Sequence, residues 1–221
     1  MIRFDKVRKI YKARNTQKVI LQDISCDFPS DRSIGILGVN GAGKSTLMRL
    51  LSGSEMPDRG KITRHARVSF PLAFDGAIHP KLTGRENVSF VARIYGHKPK
   101  PVIDYVEDFA ELGAYFDMPT ETYSSGMRAR LSFGLCLAIQ FDVYLVDEIT
   151  AVGDARFQAR CRKAFSDRAQ SASVIMVSHS FDTIRAYCNV GAILHDGALK
   201  FYDSVDDAID IYRKIIGTAV T

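Results

Sequence analysis

Gly38-Val39-Asn40-Gly41-Ala42-Gly43-Lys44-Ser45-Thr46 satisfies the pattern G-x-x-x-x-G-K-[ST] at every fixed position. Ahead of it, Ser33-Ile34-Gly35-Ile36-Leu37 reads as a buried strand, and behind it Leu47-Met48-Arg49-Leu50-Leu51 reads as the opening of a helix. Strand, glycine-rich turn and helix form the context in which this pattern becomes a phosphate site. Glycines let the backbone curl with its N–H groups inward, and the new helix adds the positive end of its dipole. Gly38, Asn40, Gly41, Ala42 and Gly43 are thus candidates to cradle phosphates together with Lys44, Ser45 and Thr46. Lys44 would reach the β- and γ-phosphates, and the Ser45 hydroxyl would ligate Mg²⁺. A plain glycine-rich β–α turn explains the glycines but not Lys44-Ser45-Thr46. The stretch predicts binding of a nucleoside triphosphate.

The rest of the chain bounds this reading. With 221 residues it can bury a full core as one domain, or as one domain carrying a subdomain. Hydrophobic residues make up 46% and charged residues 25%, with no repeat, as in an ordinary globular protein. No run approaches the ~18 apolar residues of a membrane span, and Met1-Ile2-Arg3-Phe4-Asp5 has no signal-peptide character, so a cytosolic-side protein is expected. Cys26, Cys136, Cys161 and Cys188 lie far apart without a C-x-x-C pair, which fits buried free thiols. The net charge of +5, with basic residues recurring through the first eighteen positions, fits a solvated face and attraction for nucleotide phosphate, with nucleic acid or an anionic membrane surface as the other readings.

Strands are predicted at Ile2–Phe4 and Val19–Leu21, either side of a polar basic stretch, and again from Gly60 after a turn at 57–60. From Thr83 the pattern turns helical: Thr83 and Glu86 form a capping box ahead of a Val88, Val91, Ala92, Tyr95 stripe. A second stripe runs from Val102 to Leu112, and a third helix starts near Ser125. Strands return at 143–146 and 174–177 around a helix from about 155 to 169. A hairpin with an Asp196-Gly197 turn and a final helix over 205–216 follow. The alternation implies an α/β fold with a parallel core sheet, interrupted by a helical block over about 81–140.

Val143-Tyr144-Leu145-Val146 is followed by Asp147-Glu148, two carboxylates delivered to the C-terminal end of a buried strand, where α/β ligands bind. Asp147 would hold Mg²⁺ opposite Ser45, and Glu148 would polarise the attacking water as general base. Tyr123-Ser124-Ser125-Gly126-Met127 heads the third helix. It resembles the L-S-G-G-Q signature of ATP-binding-cassette (ABC) transporter nucleotide-binding subunits, keeping the serine and the second glycine. The resemblance covers essentially all 221 residues. It implies a P-loop NTPase core with a parallel sheet, an N-terminal antiparallel β element and an inserted α-helical subdomain within a single ATP-binding domain.

Further implications follow from the same resemblance. ATP and Mg²⁺ would be the cofactors. Two copies would pair as an ATP-sandwich homodimer, with Ser124, Ser125 and Gly126 of one closing in trans on the γ-phosphate held by the other. His179, in Val177-Ser178-His179, resembles the switch histidine and joins Glu148 and Lys44 as a catalytic candidate. Asp154 resembles the aspartate of the loop linking the two sites, and Tyr11 the aromatic that stacks on adenine. The family's glutamine loop has no counterpart, because no glutamine occurs between Gln22 and Gln140; residues 70–80 occupy its place.

Residues 82–88, 123–131 and 147–154 are similar to the polysaccharide-export branch of the family. Because the sequence ends shortly after Ile216, without the extensions of O-antigen or teichoic-acid members, it looks most like a capsular polysaccharide exporter ATPase. An integral membrane transporter subunit would be the partner, on the cytoplasmic face of a bacterial inner membrane. Neither direct glycan contact nor nucleic acid is expected. Export of another surface glycan, transport of a small solute, a soluble ATPase acting on DNA or ribosomes, and a regulatory cassette that binds ATP without hydrolysing it are the alternatives.

Overall fold

The computed structural model describes residues 1–13, 16–72, 78–147 and 154–218. In chain order the elements begin β1 (Ile2–Ala13), β2 (Thr16–Phe28), β3 (Ile34–Leu37), α1 (Lys44–Ser52) and β4 (Arg59–Arg64). Then come α2 (Gly84–Ile94), α3 (Pro99–Ala110), α4 (Ser125–Ala138), β5 (Val143–Asp147) and α5 (Ala155–Ala169). The chain finishes with β6 (Ser173–Val177), α6 (Phe181–Tyr187), β7 (Val190–His195), β8 (Ala198–Tyr202) and α7 (Val205–Thr218). Two compact units result, one from residues 1–71, 141–149 and 171–221, the other from 72–140 and 150–170.

The first unit contains two sheets. Five strands in the order β5-β6-β3-β7-β8 form the larger, parallel through β7, with β8 returning antiparallel. The parallel core is as the sequence predicts. Its antiparallel edge comes from the Asp196-Gly197 hairpin, whose φ values of 46° and 74° supply the left-handed pair that a tight two-residue turn requires. Strands β3 and β6 are wholly buried, which is why they read as unbroken apolar runs. Their pleat still sorts the residues. Ile34, Ile36, Leu145, Ile175, Val177 and Leu194 share one core with Leu47, Leu50 and Leu51 of α1 and Phe4 and Leu21 of the smaller sheet. Each such side chain contributes about 1.5–3 kcal/mol. On the other face Gly35 packs against Ile184 of α6, and Gly191 against Ala208 of α7.

The smaller sheet has the order β2-β1-β4, all antiparallel. Its first two strands run straight through the basic stretch that separates the two short apolar runs. Backbone pairing needs only an extended chain, and outward positions carry Lys and Arg in water without cost. Irregular register around Val7, with Lys6 at φ 48°, breaks the alternation that would have announced so long a strand. Helix α6 was not legible either, since seven residues are too few for a periodic stripe.

Serine hydroxyls fasten the end of the larger sheet away from the phosphate loop. The Val174 N–H donates to Ser33 Oγ at 3.0 Å, and Ser173 Oγ donates to the Ser30 carbonyl at 2.6 Å. The Asn189 and Val190 N–H groups both donate to the Ser33 carbonyl, at 3.0 and 3.1 Å.

In the second unit α2 begins with the complete capping box: Thr83 Oγ1 accepts from the Glu86 N–H, and Glu86 accepts from the Thr83 N–H. Its Val88, Val91 and Ala92 are buried. Phe109 of α3 stacks on Phe133 of α4 at 6.1 Å and meets Phe157 of α5 edge-on at 5.5 Å. Arg160 lies 5.1 Å over the Phe109 ring and pairs with Asp108 and Glu111 at 2.6 and 2.7 Å. Helix α4 is buried on every side from Leu131 to Leu137, whereas its first turn is not.

Candidate active site

Strand β3 ends at Leu37, and the chain turns back through residues 38–43 to start α1. Gly43 is the N-cap, at φ 107°, where a β-carbon is strongly disfavoured. No side chain caps this helix, and its first turn holds no acid. The leading N–H groups lack intrahelical partners, so dipole and donors together face an incoming anion. Lys44 Nζ donates to the carbonyls of Gly38 and Val39 at 2.6 and 3.1 Å, which holds the ammonium over the loop.

This loop forms one wall of a cleft of about 390 Å³. Asn40, Gly41, Gly43, Lys44, Ser45 and Thr46 line it, together with Asp147 from the end of β5 and His179 just beyond β6. Parallel register sets Asp147 opposite Val177, so both strands deliver their chemistry at one edge of the sheet. The lining combines a cation, a helix N-terminus, a hydroxyl and a carboxylate. That set suits a polyphosphate, with Ser45 and Asp147 offering the oxygen ligands that a hard divalent cation takes.

Other predicted residues stand apart from this lining. The Gly38 carbonyl accepts from Lys44, and Ala42 borders a smaller cleft with Asn40, Gly41 and His195. Tyr11 is linked to the lining through Thr46, its Oη 3.4 Å from Thr46 Oγ1. Ser124, Ser125, Gly126 and Asp154 belong to the second unit. Ser124 caps α4, accepting from the Met127 N–H at 3.2 Å. Among the described residues, a β-carbon added to Gly126 would find only Ser124 Oγ, at 3.9 Å. Asp154 caps α5, accepting from the Phe157 N–H at 2.9 Å, and pairs with Arg130 of α4 at 3.4 Å. That backbone hydrogen bond and the Arg130 charge hold its carboxyl below the usual range. Glu148 lies outside the described residues.

Sequence reasoning missed Ile20 and Ser178, which also line the cleft. Ile20 reads as one apolar residue among many on a strand, and only the fold brings it against Gly43. A cluster around Tyr11 was missed as well. Glu55 accepts from Tyr11 Oη at 2.8 Å, Arg49 Nε at 2.9 Å and Lys9 Nζ at 2.9 Å. Burial pushes the Glu55 carboxyl up, but the bonds from Arg49, Lys9 and Tyr11 outweigh it and hold the pKa at about 2. No disulfide joins the four cysteines, and burial pushes the Cys26, Cys161 and Cys188 thiols up to about 12.

Residues 21–151, which span the phosphate loop, the α4 motif and Asp147, match the family described as ABC transporter. The chain belongs to the ABC transporter family. ABC-type relatives extend along nearly its whole length. It is 44% identical to the polysialic acid transport ATP-binding protein KpsT of Escherichia coli over 96% of both chains. It is 43% identical to the capsule polysaccharide export ATP-binding protein CtrD of Neisseria meningitidis, over 97% of this chain and all of that one. ATP-binding proteins for O-antigen and teichoic acid export match at 31–33%. Among solved structures, a dimeric post-hydrolysis state of an ATP-binding cassette with ADP and Pi superposes at a TM-score of 0.74, covering 92% of this chain and 98% of that one. Identity there is 18%, so the likeness concerns the fold. The chain is an ABC ATPase that binds ATP. Among the described residues no helix is long and apolar enough to cross a membrane.

Proposed function

We propose that this ABC ATPase powers export of a capsule polysaccharide. The observation that carries the reading is 43–44% identity, over at least 96% of this chain, to ATP-binding proteins of polysialic acid and capsule polysaccharide export. The lower identity to O-antigen and teichoic acid proteins supports the choice among glycans.

ATP sits in the 390 Å³ cleft. Lys44 and the N–H groups opening α1 hold the β- and γ-phosphates, and Tyr11 stacks on adenine. Ser45 and Asp147 hold Mg²⁺, which when bound neutralises charge on the phosphate oxygens. Glu148 takes a proton from the attacking water, and His179 steadies the γ-phosphate from the β6 side. A second copy completes the site with Ser124, Ser125 and Gly126. The room around Gly126 supports this, because packing among the described residues does not require glycine there. Asp154 belongs to the loop joining the two sites. Closure of the homodimer then depends on ATP, and hydrolysis releases it. An integral membrane subunit converts that cycle into glycan movement, with this chain peripheral on the cytoplasmic face of the inner membrane.

Disrupting the coding region in an encapsulated bacterium tests the reading. Loss of surface polysaccharide with accumulation inside the cell is expected, restored by the wild-type chain but not by Lys44→Ala. An unchanged capsule would overturn the reading, and loss of O-antigen alone would reassign the glycan.

A further inference from the structure

We infer that Glu55 is a positioning residue for the nucleotide base: it fixes the Tyr11 ring for stacking and ties that ring to the phosphate loop through Arg49 and Thr46. The inference rests on the proposal that Tyr11 stacks on adenine.

Glu55 lies between α1 and β4, in a segment to which no motif points. Its side chain is only 18% exposed. Both carboxylate oxygens lie within hydrogen-bond reach of Tyr11 Oη, at 2.8 and 2.9 Å, while Lys9 Nζ and Arg49 Nε each donate to one of them. The hydroxyl proton of Tyr11 is therefore committed to Glu55. The Tyr11 oxygen in turn accepts from Arg49 Nη2 at 2.8 Å. The same Arg49 Nη2 reaches Thr46 Oγ1 at 3.2 Å, and Thr46 is a buried residue of the phosphate loop.

The physical consequence is preorganisation. Tyr11 is 39% exposed on a strand, a setting in which a tyrosine ring ordinarily samples several rotamers. Bonds that fix the hydroxyl from both sides restrict the ring, so less freedom is lost when a base stacks on it. Lys9 Nζ, 5.6 Å from the ring centroid, adds a cation–π contact to the same arrangement. The low pKa of Glu55 keeps the carboxylate ionised throughout the physiological range, so the clamp is permanent. The phosphates have their own seat at residues 38–46, so a clamp on the ring is read in ATP binding more than in binding of a phosphate chain that has no base.

The test compares ATP with inorganic tripolyphosphate, which has no base, as ligands of the full chain. Glu55→Ala is expected to weaken ATP binding roughly five- to twentyfold while tripolyphosphate binding stays within about twofold. Tyr11→Phe, which removes only the hydroxyl, is expected to show the same selective loss. Glu55→Ala added to the Tyr11→Phe background is expected to cause little further loss, since both break one network. Glu55→Gln, which still accepts hydrogen bonds, is expected to restore part of the ATP affinity. Equal weakening of both ligands by Glu55→Ala would make Glu55 a support of the phosphate loop and overturn the inference. No change in either would also overturn it. Should Glu55→Ala fail to fold, Tyr11→Phe decides alone: selective loss of ATP supports the clamp, and no loss overturns it. Tyr11→Ala separates the two layers. If it leaves the ATP-to-tripolyphosphate ratio unchanged, base stacking itself fails; if it shifts the ratio and Glu55→Ala does not, only the clamp fails.

Discussion

Ile20 of β2 presses its Cγ2 against Gly43, at the turn where the phosphate loop becomes α1, so closely that a β-carbon at 43 would overlap it. The N-terminal sheet therefore shapes the phosphate loop as well as flanking it. Gly43→Ala meets two penalties at once, the overlap and a φ of 107°. The change is expected to destabilise the fold by about 1–3 kcal/mol and to abolish ATP binding. Thermal unfolding and nucleotide titration measure both, and retained ATP affinity would contradict this account of the turn.

Lys44→Ala removes the one charged donor of the loop. ATP affinity is expected to fall on the order of ten- to a hundredfold, with the melting temperature nearly unchanged. Equilibrium binding checks the affinity, and calorimetry checks the fold.

Glu148→Gln swaps the carboxylate proposed as general base for an amide of the same shape. The variant is expected to bind ATP, hydrolyse it at least about a hundredfold more slowly, and accumulate as an ATP-bound dimer. Phosphate release and size-exclusion chromatography with ATP are the measurements; wild-type turnover would remove Glu148 from the mechanism.

Gly126→Ala separates assembly from folding. Among the described residues an added β-carbon there meets nothing closer than 3.9 Å, so stability should change by no more than about 0.5 kcal/mol. ATP-dependent dimerisation and ATPase rate are expected to drop together if, as proposed, this helix start closes on a second copy's nucleotide. If both persist, this helix start does not face a nucleotide.

Glu55 also makes stability depend on pH. Its pKa is about 2 in the folded chain against 4.5 for the free group, so its contribution is whole above about 4.5 and drains away as pH falls towards 2. After solvent screening that contribution is roughly 1–2 kcal/mol. Melting temperatures of the wild type and Glu55→Gln are expected to differ at pH 6 and to converge towards pH 3. A constant difference would remove ionisation as the cause.

What could be read in advance followed the physics of each signal. The Thr83–Glu86 capping box, the helix from Ser125 and the Asp196-Gly197 turn are local, and all three stand where the residue types put them. The buried parallel strands announced themselves as apolar runs. The long β1–β2 hairpin did not, because bulges and a basic outer face erase a two-residue period. Of the cleft, Lys44, Ser45 and Asp147 were legible because only certain chemistry explains them in sequence. Ile20 of that lining, and Arg49 and Glu55 of the cluster around Tyr11, were not, because their meaning comes from neighbours that lie 23, 38 and 44 positions away along the chain.

The serine hydroxyls at the blunt end of the larger sheet act at a distance. Ser33 and Ser173 index β6 against β3, and β6 in turn sets Asp147 opposite Val177. A slip of one residue there would carry the cleft's carboxylate about 3.3 Å along the strand and turn it to the opposite face. Wear at these two serines would surface as failed catalysis at the far end of the sheet, in a protein whose every catalytic residue was intact.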